Sequence, residues 1–410
     1  MALSIAVIGS GMAGLAAAHA CRKNGHHVTV FEAHNGHGMD AHALQVDDAL
    51  VDIPLRVMGP QTWPSVLALA KSVGVGTFRV NAYTSCSWPD GHTWFRSGRL
   101  LGLPFVGSAR FLNHRAVRIG YGLMQLKKLT RTLANHPDQH SLTLAEVLEQ
   151  YRLDRLFWRG LLLPLLTTIC TCDEQDLLAW PALQLLQVID GVLHSHYLCR
   201  LQGGTSALVN ALSQDLPIIS GSPVMQLRQQ QDGVHITNQR GEGGVFDRVI
   251  VATQANQLDF LDDAQFAQER CVLADIRFVP GDLWVHSDTR FMPKERRNWS
   301  ALNFRMDRHL QKPVFSVWVN PVEQGLQEDG KPVLQTWNPP FEPQAETVLA
   351  RVSFQRAVVH SGTAFVLQQL DQWHQQPGRR VFYCGSWAHK GIPLLESAVR
   401  SAQKVAGVIG

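Results

Sequence analysis

The chain has 410 residues, 45% of them hydrophobic and 17% charged, with a net charge of +3. That length exceeds one simple core and fits an enzyme with a large interior, built from two interleaved domains. The near-neutral balance gives no reason to expect nucleic acid, and no run of about 18 apolar residues occurs, so no membrane span is expected.

In chain order, "LSIAVIGSGMAGLAAAHACRKNGHHVTVFEA" (3–33) reads strand, tight turn, helix, strand. A continuous apolar run at 3–8 suits a buried parallel strand, and the alanine-rich 13–23 suits a helix closed at Gly25. Val28 to Phe31 is the second strand of this βαβ start. "ALQVDDALVDIPLRVM" predicts two short strands around a turn, and "WPSVLALAKSVGV" a helix ending at Gly74. Residues 80–98 are Trp- and turn-rich and predict strands. Residues 105–200 are mostly helical, with Ser141 a candidate N-cap. At 203 the glycine turn "GGTSALVNALS" opens another helix. A strand, a hairpin and a buried strand follow through "SPVMQLRQQQDGVHITNQRGEGGVFDRVIVAT". Residues 256–360 predict mixed strand and loop. "RRVFYCGSWAHKGIPLLESAVRSAQKVAGVIG" closes the chain with a strand, a loop and a helix.

The expected fold class is α/β. A Rossmann-like domain of three segments (1–78, 203–255 and 365–410) carries an inserted α+β substrate domain (79–202 and 256–364). The seven cysteines, at 21, 86, 170, 172, 199, 271 and 384, are odd in number and scattered, which argues for a reducing compartment. Buried thiols are the plainer reading of the Cys170–Cys172 pair. No basic segment leads into an apolar stretch at the start, so a signal peptide is not expected and a cytoplasmic location is.

Gly9-x-Gly11-x-x-Gly14 follows a strand and opens a helix. Gly9 permits the turn, Gly11 lets a pyrophosphate approach the backbone, and Gly14 lets helix and strand pack closely. Glu32 is placed to accept hydrogen bonds from a ribose diol. NAD and FAD share this front end. The C-terminal return through "VFYCGSW" to a helix near Leu395 favours a flavin, because a helix N-terminus stabilises the charge of its reduced ring. An ordinary terminal strand and helix is the alternative.

Several motifs together carry a resemblance: the glycine motif with Glu32, "GGTSALVNALS", "FDRVIVATQANQ" and "LESAV". Over nearly its full length the chain resembles the flavin-containing amine oxidase superfamily, which also holds phytoene-desaturase-like enzymes. "ADIRFVPGDLWVHSDTRFMPKERRNWSALNFR" and "VLQTWNPP" resemble a bacterial branch of amine-oxidase-like NAD/FAD-binding proteins often linked with fatty-acid-modifying methyltransferases. The resemblance implies noncovalent FAD. Gly9, Ser10, Gly11, Met12, Ala13 and Gly14 would cradle its pyrophosphate, and Glu32, followed by Ala33, would hold the adenosine ribose. Val224 would bind adenine through its backbone. Ala252 and Thr253 would lie beside the nucleotide, Gly385 and Ser386 beside the ribityl–phosphate region, and Leu395 at the pyrimidine edge. The family's Glu-Ala-x-x-Arg-x-Gly-Gly is eroded: Gly36 and Met39 replace the arginine and second glycine, and Gly38 remains. Asp52-Ile53-Pro54 stands for the usual Asp-x-Gly, with Pro54 in place of the glycine, and "AHKGIPLL" replaces an aromatic stretch, so an altered flavin pocket is expected.

The resemblance implies an FAD-dependent oxidoreductase that abstracts a hydride from an apolar substrate, an alkyl amine or an acyl chain, giving C=N or C=C. Dioxygen or another acceptor would reoxidise the flavin. The rival readings are a flavin-dependent double-bond isomerase without net redox, a non-catalytic FAD-binding partner protein, and a nicotinamide dehydrogenase. No residue stands out as a base. His389 and Lys390 are the catalytic candidates, in the loop expected to face the flavin, although a surface lysine is the plainer reading of Lys390. Between Asp90 and Asp138 there is no acidic residue, but eight basic ones: Arg96, Arg99, Arg110, Arg115, Arg118, Lys127, Lys128 and Arg131. A solvated helix face explains them most simply. Contact of residues 96–131 with an anionic membrane surface, peripherally at the inner membrane, or with an acyl carrier protein is the functional reading.

Overall fold

A computed structural model describes residues 1–36, 38, 42–100, 103–136, 141–170, 172–193, 197–310 and 313–410. Its organising element is a five-stranded parallel sheet in the order Ile218–Ile219, His27–Phe31, Ser4–Ile8, Arg248–Val251, Val381–Tyr383. The central strands are apolar throughout, with Ile5, Ala6, Val7, Val249, Ile250 and Val251 fully buried, as a sheet covered on both faces requires. On one face the helices Met12–Lys23 and Leu395–Ile409 pack closely together, next to Gly204–Ser213. The alanines Ala13, Ala16, Ala17 and Ala18 allow that approach, because their side chains end at Cβ. Strands from the beginning, middle and end of the chain therefore build one sheet. Their carboxyl ends lie together, where open α/β sheets bind ligands.

A second, seven-stranded sheet runs Val348–Val358, Arg277–His286, Leu334–Trp337, Pro313–Trp318, Leu302–Met306, Thr84–Ser87, Thr93–Arg96. It is antiparallel except where Leu302–Met306 runs parallel to Thr84–Ser87. Against it lies the helical block, led by the long helix His114–Asn135, around a core that includes Trp94, Phe157, Leu162 and Phe304.

The region 256–360 also holds a helix, Asp263–Leu273, capped by Asp262, which mixed strand and loop did not anticipate. Leu144–Gln150 is capped by Thr143 rather than Ser141. Thr143 Oγ1 accepts from the Glu146 amide while the Glu146 carboxylate accepts from the Thr143 amide, a reciprocal capping box that Ser141 is too distant to form. Cys170 and Cys172 are buried, with Cys170 raised by burial and then by its neighbour Cys172. No described helix is long and apolar enough to cross a membrane.

Candidate active site

The carboxyl ends of the parallel sheet, the face of the antiparallel sheet and the helical block enclose a cavity of about 490 Å³. Gly11, Met12 and Ala13 contribute the start of the first helix to its wall, and Leu394, Leu395 and Ala398 the start of the C-terminal helix. Neither helix has a side-chain cap at its N-terminus. Two sets of first-turn N–H groups, with their positive dipole ends, thus face one chamber.

The glycine turn is shaped for a large ligand. A Cβ on Gly14 would lie 1.9 Å from the Gly9 carbonyl oxygen, so Gly14 is needed for helix-to-strand packing. A Cβ on Gly11 would meet nothing within 4 Å: the space before the helix is open and belongs to the cavity. Open backbone, an uncapped helix end and a second uncapped end fit an elongated cofactor with an anionic centre and a ring that gains charge on reduction. A dinucleotide flavin has both features.

The loops around this cradle are fastened from several directions. Ser10 donates through its backbone N (2.9 Å) and Oγ (2.6 Å) to Glu32 Oε2, and the His34 amide donates to Glu32 Oε1. Ser10 Oγ also accepts from the Gly38 amide at 2.9 Å. Gly38 has φ +65°, and a Cβ there would come within 2.2 Å of Val209 Cγ1, which explains why this glycine of the eroded signature is kept. Met39 lies outside the described residues, and Gly36 is exposed. Trp387 Nε1 donates to the Thr253 carbonyl at 3.0 Å, tying the C-terminal loop to the middle segment. Gly385 is bonded on both sides by Ser401 Oγ, which donates to its carbonyl and accepts from its amide.

Of the residues expected to touch the cofactor, the cavity wall contains Gly11, Met12, Ala13, Gly38, Ala252, Thr253, Gly385, Ser386 and Leu395. Gly9, Ser10, Gly14 and Glu32 do not line this cavity; Glu32 fastens the turn through Ser10. Val224 is buried opposite Asn238, and Ala33 is exposed. The two catalytic candidates fall elsewhere. Lys390 is exposed, and the half-buried His389 pairs through Nδ1 with the Lys390 carbonyl at 2.7 Å. Neither lines the cavity. The loop turns them outward because Trp387, Pro393 and Leu394 take the inward positions.

The titratable groups that do face the cavity went unread in the sequence. Its described lining holds His42, Arg56 and Arg356, and no carboxylate. Arg56 belongs to a buried network: it lies 3.8 Å from Asp52, and its Nη1 donates to the Pro54 carbonyl and Thr205 Oγ1. Asp52 also accepts from the Thr205 amide and from Arg200, which in turn pairs with Glu323. Gln335 closes the group, donating to the Asp52 carbonyl and accepting from the Leu55 amide. His42 packs on the Phe354 ring, and its buried Nδ1 has no partner. Burial, followed by the charges of Arg56 and Arg356, brings His42 down to about 4, so it is neutral at ordinary pH. Arg356 alternates in phase with Val352 and Phe354 along its strand. That inward phase was the available signal; it shows only once the strand's buried face is known.

The chain matches the model of the family described as flavin containing amine oxidoreductase over residues 12–312. Among solved structures, a wild-type putrescine oxidase bound to putrescine is similar, with TM-score 0.68 and 15% identity, covering 100% of this chain and 99% of that one. The cyclohexylamine oxidase of Brevibacterium oxydans IH-35A gives TM-score 0.68 at 15% identity over 100% and 99% of the two chains. A CLA-producing fatty acid isomerase from P. acnes gives 0.71 at 14% identity over 99% and 98%. At such identities the likeness is one of fold. No curated protein sequence matches the chain.

Proposed function

The chain belongs to the family of flavin containing amine oxidoreductases, and from that footing we propose that it removes a hydride, with loss of a proton, from an apolar substrate, an alkyl amine or an acyl chain, leaving a C=N or C=C bond. FAD is the cofactor; when bound, it accepts the hydride and passes the electrons to dioxygen or another acceptor. One observation carries the reading: two uncapped helix N-termini, at Gly11 and Leu394, open onto a single apolar chamber.

The chain's own residues do the rest. Gly11, Met12 and Ala13 offer backbone N–H groups to the pyrophosphate, held noncovalently. Leu395 and the C-terminal helix offer theirs to the pyrimidine edge. Leu165, Ile169, Val188, Val192, Leu302 and Phe315 exclude water and align an alkyl chain. His42 is the one imidazole in the described lining; burial and the charges of Arg56 and Arg356 hold it neutral, so the proton that leaves with the hydride goes to solvent rather than staying there.

A second reading, double-bond isomerisation without net redox, has a specific motive. The described lining contains no carboxylate, lysine or tyrosine to serve as a base, and the fatty acid isomerase shares the fold. Anaerobic titration of the flavin-loaded protein with alkyl amines and unsaturated acyl chains separates the two. Lasting bleaching with a product two hydrogens lighter supports hydride removal. A product of unchanged mass supports isomerisation. No spectral response and no product from either series would contradict both.

A further inference from the structure

We propose that the substrate is an anionic amphiphile, an acyl chain ending in a carboxylate, whose head group pairs with Arg356. This deepens the reading of the chamber as the seat of an apolar substrate and rests on it. The charges decide the sign. Asp52 and Glu323 offset Arg56 and Arg200 within one buried network. Arg356 is left over: among the described residues no carboxylate lies within ion-pair distance of it. Its buried Nε has no hydrogen-bond partner, and its guanidinium lies 5.5 Å from the Phe354 ring centroid. A guanidinium shut into an apolar wall without an anion is costly, and a carboxylate can satisfy it with two parallel bonds. Burial, followed by the charge of Arg56, brings Arg356 to about 10, still charged at neutral pH. A protonated amine would meet repulsion from Arg356 and find no acid in the described lining.

The test compares binding of a long-chain unsaturated carboxylate, the matching primary alcohol and the matching alkyl amine. Calorimetry is run on the flavin-loaded wild type, Arg356→Gln and Arg356→Lys. The wild type should favour the carboxylate. Arg356→Gln should weaken carboxylate binding by about ten- to a hundredfold, as loss of a charged hydrogen-bond pair does. Alcohol binding and flavin content should stay unchanged, and Arg356→Lys should recover part of the loss. Tighter binding of the amine, or unchanged carboxylate binding in Arg356→Gln, would overturn the proposal. So would loss of flavin from Arg356→Gln, since the residue would then serve the cofactor. Bleaching by the amine alone sinks this proposal while hydride removal stands. Tight carboxylate binding without flavin reduction has the reverse meaning.

A separate observation concerns the long helix His114–Asn135. Val117, Tyr121 and Met124 lie on one face at successive turns and are 71%, 53% and 66% exposed, with Leu112 just upstream at 58%. Lys128 and Arg131 continue the same face, and Met124, Lys127, Lys128 and Arg131 share one surface depression. Other cations of the basic stretch are engaged: Arg110 pairs with Glu295 and Arg118 with Asp154. Lys127, Lys128 and Arg131 have no carboxylate partner among the described residues. We infer that this face docks on an anionic bilayer, its apolar side chains entering the interface and its cations meeting lipid head groups. Contact with an acidic protein would not require so many exposed apolar side chains. Co-sedimentation with phosphatidylglycerol-containing vesicles and with pure phosphatidylcholine tests it. The wild type should pellet with the first and several-fold less with the second. Both the Val117→Ser, Tyr121→Ser, Met124→Ser variant and the Lys127→Glu, Lys128→Glu, Arg131→Glu variant should stay in solution with unchanged melting temperature. Equal pelleting of the variants, or a soluble dimer that shields this face in place of vesicle binding, overturns the proposal.

Discussion

At the scale of single residues, the glycine turn separates two demands that a motif runs together. Gly14 has no room for a side chain, whereas Gly11 has room that a ligand would use. Gly14→Ala should therefore destabilise the protein by about 1–3 kcal/mol through overpacking, read by urea denaturation. Gly11→Leu should unfold as the wild type does but purify colourless. A yellow Gly11→Leu protein would show that the pyrophosphate lies elsewhere. Gly14 was legible because it answers a local constraint against Gly9, whereas the reason for Gly38, its approach to the distant Val209, shows only in the fold. His42, Arg56 and Arg356 were not legible. Their importance depends on which faces meet across the fold, and no short stretch of sequence states that. His389 and Lys390 lie in the expected loop but do not line the cavity, because that loop points Trp387 and Leu394 inward instead.

At the scale of elements, the parallel strands and their helices were readable from continuous apolar runs and alanine-rich helical stretches. The seven-stranded sheet was not, since its pairing joins Leu302–Met306 to Thr84–Ser87 across the helical block. One junction between elements makes stability depend on pH. His374, at the end of the helix Thr363–His374, accepts the Tyr383 amide through Nε2 at 3.0 Å and so must stay neutral there. Burial, followed by Arg379, lowers it to about 4 from an ordinary 6.5. Below pH 6.5 the unfolded chain takes up a proton that the folded chain refuses. Stability is thus full above that pH and declines as pH falls toward 4, by up to about 3 kcal/mol for this residue. His286, also buried and brought to about 4, adds in the same direction. Denaturation midpoints should fall between pH 7 and pH 5, and His374→Gln, which keeps an acceptor, should flatten that fall. An unchanged slope in the variant would remove His374 from the explanation.

At the scale of the whole molecule, the elements between the two large sheets are joined by buried charge as well as by apolar packing. Asp52 binds the helix start at Thr205 and the Arg200 guanidinium, and Arg200 reaches Glu323 and the Val322 carbonyl on the far side. Asp52→Asn would remove the carboxylate that Arg56 and Arg200 share, leaving Glu323 as the charge partner of Arg200. A loss of about 3–5 kcal/mol is expected, as when one partner of a buried pair is removed, with flavin released in the same unfolding transition. Separate transitions for flavin release and unfolding would show that the network does not couple the two halves. The chamber between those halves is the proposed seat of the chemistry, which is most directly examined by one titration. Flavin-loaded protein is mixed anaerobically with an unsaturated long-chain carboxylate, the absorbance of the bound flavin is followed, and the product is weighed. Bleaching that persists until oxygen is admitted, with a product two hydrogens lighter, is the expected result. An unbleached flavin with unchanged substrate, across both the carboxylate and the matching amine, would contradict hydride removal by this protein.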